Sequence, residues 1–79
     1  MSYVGGKERQ RLASEGKALP DGSYPIRNKR DLKHAKEDFD MHSAHYSTAR
    51  RRQVSAWINK KADELNAPEC KVKLHWSHR

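Results

Sequence analysis

Seventy-nine residues, 34% apolar and 34% charged with a net charge of +7, make one small domain at most. Such a chain buries only roughly 60% of its unfolded surface, so a few large side chains (Tyr24, Phe39, Tyr46, Trp57, Trp76) or a partner must complete the core. The single Cys70 excludes an internal disulfide and fits a reducing compartment. No stretch reaches the ~18 apolar residues of a membrane span, and MSYVGGKERQR has no apolar run behind its charges, so it does not read as a signal peptide.

Residues 1–6, MSYVGG, read as a flexible arm, and residues 7–79 as a single small domain. KERQRLASE, Lys7 to Glu15, predicts a short helix closed by Gly16, which can take the left-handed conformation that ends a helix. Only Leu12 and Ala13 on it can be buried, so this helix needs a docking site. In LPDGSYPI, Pro20 suits the second position of a type I turn, with Asp21 and Gly22 completing it. Ser23 to Ile26 is then extended, and Tyr24 is held extended because it precedes Pro25. Pro25 lacks a donor, so the segment is an edge or irregular strand.

Asn28 caps the next helix, with Asp31 at its third position as a variant capping box. Leu32, Ala35 and Phe39 share one face of it. The acids of EDFD oppose the dipole at a helix end, so the helix is expected to stop near there or to run on through MHSAHY. Ser47 or Ser43 caps the last helix, Thr48 to Leu65, whose Val54, Ile58, Ala62 and Leu65 make a stripe beside Trp57. NAP at 66–68 ends it. The tail CKVKLHWSH alternates, with Cys70, Val72, Leu74 and Trp76 on one side, and predicts a half-buried strand. Pairing of this strand with SYPI would give a minor two-stranded β ribbon. The expected fold is therefore mainly α: two to three helices with that ribbon.

The charge is uneven. Residues 1–45 carry nine Lys/Arg against seven Asp/Glu, and residues 46–79 carry eight against three. Arg50, Arg51 and Arg52, with Lys60 and Lys61, make the last helix basic. They are the candidate contacts to a partner or to phosphate, as in a helix entering the major groove. The plainer reading is a solvated face, with arginines paired to Glu37, Asp38 or Asp40. Arginines at a helix N-terminus oppose its dipole, which favours an anion nearby. Trp57 and Trp76 sit on apolar faces and read as core, not as a stacking platform.

His42 and His45 are three apart, as are His75 and His78, with Cys70 between the pairs. No zinc-type spacing appears, and surface histidines are the simpler reading. Asp21 reads as a turn residue, Cys70 as an inert thiol on an apolar face, and the serines have no evident base and orienting partner. Neither a catalytic set nor a cofactor site is expected. Pro20, Asp21, Gly22, Tyr24, Pro25, Ile26, Asn28 and Asp31 read as structural devices: a turn, an aromatic hook and a helix cap.

RLASEGKALPDGSYPIRNKRDLKHA followed by ARRRQVSAWINKKADELNA resembles a small domain family of tailed bacteriophages and prophages. The matching positions are Leu12–Ala13, Ala18–Ile26, Asp31–Leu32–Ala35 and Ile58–Lys61–Ala62–Leu65, over roughly residues 10–67, with Pro68 and Trp76 as further matches beyond that span. The ALPDGSYPI run is the specific part. Asn66 and Ala67 replace the family's usual Leu-Gly helix end, and EDFDMHSAHYST replaces a short Gly-containing linker. The resemblance implies a small phage protein, stand-alone or joined to head proteins, with no implied reaction.

The expectation is a non-enzymatic virion structural protein, found in the virion and in the host cytoplasm before assembly. It would bind the phage capsid or another virion protein as a decorating or head-stabilising component. No membrane and no small-molecule substrate is expected as partner. The alternative is a small basic DNA-binding protein acting in packaging or regulation through Arg50–Arg52, Lys60 and Lys61. A third reading is an early phage protein that inhibits a host protein.

Overall fold

A computed structural model describes residues 5–72. Its elements are α1 (Gly6–Ser14), α2 (Lys29–His42) and α3 (Thr48–Glu64), with single 3-10 turns at Ser43–His45 and Pro68–Cys70. The protein is mainly helical. α1 starts one residue earlier than expected, with Gly5 as its N-cap, and the rest of the expected arm lies outside the described residues.

Local chemistry sets the boundaries. Gly16 has φ +78°, and the Lys17 and Gly16 amides donate to the Leu12 and Ala13 carbonyls, the paired bonds of a Schellman end. α3 ends the same way. Asn66 has φ +57°, Ala67 donates to Ala62 and Asn66 to Asp63. Asparagine tolerates that left-handed position, so the end holds without the glycine of the resembled family. At the N-termini, Asn28 Oδ1 accepts from the Asp31 amide at 2.9 Å, and Ser47 Oγ accepts from the Arg50 amide at 3.1 Å. Asp31 reaches past the cap to the Arg27 amide, at 3.0 Å. α2 runs through EDFD to His42 and tightens into the 3-10 turn.

α2 and α3 pack through the faces their periodicity marks. Leu32, Ala35 and Phe39 meet Val54, Ile58 and Ala62, all at most 3% exposed. Burying a side chain such as Phe39 contributes roughly 1.5–3 kcal/mol. Leu19 and Ile26 from the loop close one side of this core; Ala67, Cys70 and Val72 close another. Leu12 and Ala18, flanked by Ala13, form a separate small cluster under α1.

The β ribbon is not supported. Among the described residues there is no strand. Cys70 lies in a 3-10 turn, and the Val72 backbone is already occupied: its amide donates to Asn59 Oδ1 at 2.8 Å, and its carbonyl accepts from Asn59 Nδ2 at 3.1 Å. An amide side chain of α3 takes the place of a neighbouring strand. Ser23 to Ile26 bonds instead to residues on the other side of its own turn, with Leu19 N–H donating to Ser23 O at 3.0 Å and Ile26 N–H to Lys17 O at 2.7 Å. Cys70 and Val72 are nevertheless buried together. The rest of the expected strand, residues 73–76, lies outside the described residues.

Candidate functional site

The ALPDGSYPI stretch builds one wall of a groove of about 440 Å3 against α2 and the start of α3. Its turn forms as expected, with Gly22 N–H donating to Leu19 O at 2.7 Å across Pro20 and Asp21. Gly22 has φ +83°, and a Cβ there would lie 3.1 Å from Arg9 Cβ. The turn is thus the docking site that α1 requires. Asp21 Oδ1 accepts from the Ser23 amide at 3.0 Å and from Ser23 Oγ at 2.6 Å. These hydrogen bonds from Ser23 hold the Asp21 carboxyl below its ordinary range.

Tyr24 departs from the expectation. It is not extended but has φ +52°. For a bulky residue before proline that conformation costs on the order of 1–3 kcal/mol. Contacts distant in sequence hold it there. Trp57 Nε1 donates to the Tyr24 carbonyl at 2.9 Å, and the Tyr24 and Tyr46 hydroxyls are 2.6 Å apart. Burial, then the hydrogen bond with Tyr46, pushes the Tyr24 hydroxyl well above its usual range, so it stays protonated. Ile26 is buried at 2% exposure, so the two residues hook the loop onto the helices as a clamp.

Asp31 is the buried charge of this wall. Arg27 Nε lies 2.6 Å from its Oδ2, and Nη2 3.3 Å from its Oδ1. Burial pushes the carboxyl up, but the hydrogen bonds from the Arg27 side chain and amide outweigh this and leave it below the ordinary range.

The five cations of α3 do not form one face. Arg50 turns back onto the motif, with Nη2 2.9 Å from Ser23 Oγ and 3.5 Å from Asp21 Oδ2, and its guanidinium 5.7 Å from the Tyr46 ring centre. Arg51 Nη1 donates to the Ser43 and Tyr46 carbonyls at 3.1 and 3.0 Å, closing the 3-10 turn. Lys61 pairs with Glu64 at 3.0 Å and sits 5.0 Å from the Trp57 ring centre. Arg52 and Lys60 alone of the five are exposed without an ion pair among the described residues. The anion that the dipole argument asked for near Arg50 is Asp21, not Glu37, Asp38 or Asp40.

His42 and His45 are exposed at the end of α2 and in the turn after it, while His75 and His78 lie outside the described residues. Among the described residues no three His, Cys, Asp or Glu side chains gather as a metal ion would need. No helix among them is long and apolar enough to cross a membrane.

No family model, no curated protein and no solved structure matches this chain.

A cation cluster that reading the sequence by helix and run missed lies on α2. Lys29, Arg30 and Lys33 are exposed and carry no ion pair among the described residues. The signal was present in the sequence: three cations in the first five residues of a capped helix, where the dipole disfavours them, beside the one acid, Asp31, that turns inward.

Proposed function

We propose that this chain is a non-enzymatic phage virion protein that binds the head as a decorating or stabilising component. The resemblance of ALPDGSYPI to the phage domain family supplies the phage context. The inward engagement of Arg50, Arg51 and Lys61 carries the choice of a protein partner over DNA. Five phosphate contacts from α3 would give a salt slope near −4.5, whereas Arg52 and Lys60 alone would give about −1.8. From α3 alone, a slope that shallow belongs to weak, non-specific attraction. A head surface presents many equivalent sites, so modest single contacts still yield firm attachment.

Quantitative mass spectrometry of purified particles tests this. The chain is expected at a fixed, high copy number per particle. Its absence from particles would sink the virion reading. Steeply salt-dependent DNA binding, weakened by replacing the exposed Arg52 and Lys60 with alanine, would then favour the packaging or regulatory role.

A further inference from the structure

The outward face of α2 is not explained by the fold. It begins with Arg30 and Lys33, flanked by Lys29, and none of the three carries an ion pair among the described residues. One turn on it bears Glu37, also exposed. It then presents Met41, 70% exposed and the exposed large hydrophobic side chain among the described residues. Arg30, Glu37 and Met41 follow one another at spacings of seven and four, so they share a side of the helix. The charge order, cations first and acid later, is the reverse of what the helix dipole favours. An exposed methionine is an adaptable apolar contact of the kind found at binding surfaces.

We infer that this face is a protein-docking surface. It fits a partner with a carboxylate cluster opposite Lys29, Arg30 and Lys33 and a small apolar depression for Met41, about 16 Å further along the helix axis. A nucleic acid fits it less well. A phosphate backbone continuing past Lys33 along this face meets the exposed carboxylate of Glu37. A bipolar protein surface matches both signs and fixes the docking orientation. The inference deepens the virion reading and rests on it for the partner's identity, but not for its chemistry.

The test compares the full-length protein with three variants: Lys29→Glu/Arg30→Glu, Met41→Asp, and Arg52→Glu/Lys60→Glu, the last altering net charge as much as the first. Copies per purified particle should fall about tenfold or more for the first two and change less than about twofold for the third. Circular dichroism melts should show all three folded. Wild-type incorporation matched by the first two variants overturns the inference and leaves the virion reading standing. If the wild-type chain is absent from particles, the virion reading fails and a poly-L-glutamate column decides the surface. There, earlier salt elution of the Lys29/Arg30 variant than of the Arg52/Lys60 variant upholds it, and equal elution overturns it. Tighter binding to duplex DNA than to poly-L-glutamate, lost with Lys29 and Arg30, assigns the face to nucleic acid and also overturns it.

Discussion

Gly22 meets two demands at once. Its φ of +83° disfavours any L side chain, and its α-carbon faces Arg9 closely enough that a Cβ would sit 3.1 Å from Arg9 Cβ. Gly16 meets only the first, with φ +78° and open space around it. Gly16→Ala is therefore expected to cost about 1 kcal/mol, and Gly22→Ala about 2 kcal/mol or more. In a domain this size each kcal/mol lowers Tm by roughly 4–8 °C. A thermal melt in which Gly22→Ala is no worse than Gly16→Ala would show that α1 is not seated on the turn. Asp31 gives a second expectation at this scale. Its folded pKa lies below the unfolded value of about 3.9. The stability it contributes is therefore fully present above that value and is lost as pH falls through the lowered folded pKa. Asp31→Asn should lower Tm at pH 6 and flatten the decline of Tm below pH 4. A decline as steep as the wild type's would assign the acid sensitivity to other carboxylates.

At the scale of the elements, what could be read from the sequence was what neighbours in the chain decide. Asn28, Ser47 and Gly16 end or begin helices through bonds spanning three to five residues, and each did so where expected. Leu32–Ala35–Phe39 and Val54–Ile58–Ala62 declared their faces by spacing alone. Tyr24 did not, because its backbone is held by Trp57, 33 residues away. The alternation of Cys70 and Val72 correctly marked a buried side, yet it could not show that Asn59 would take up the Val72 backbone. The inward turn of Arg50 was not legible for the same reason: Ser23 and Asp21 are 27 and 29 positions from it. α2 carries its own test. Lys29→Glu/Arg30→Glu reverses charges that oppose the dipole and should stabilise the protein by about 1 kcal/mol. Loss of stability in a urea titration would show that these cations serve the fold after all.

The whole molecule holds together on two unequal footings. α2, α3 and the two segments that close their sides share one continuous cluster. α1 rests on another, where Leu12 and Ala18 are buried beside Ala13 and the turn glycine lies against Arg9. Separate clusters of such different size do not open at the same free energy. Amide hydrogen exchange should therefore show two tiers: slow exchange for α2 and α3 at the level of global unfolding, and faster exchange for α1 through a local opening that leaves the rest folded. Uniform protection across all three helices would contradict this. If the two tiers exist, α1 forms a latch. A partner that stabilised α1 would raise the protection of the motif loop beneath it, and bound protein would then differ from free protein in cooperativity while keeping the same shape.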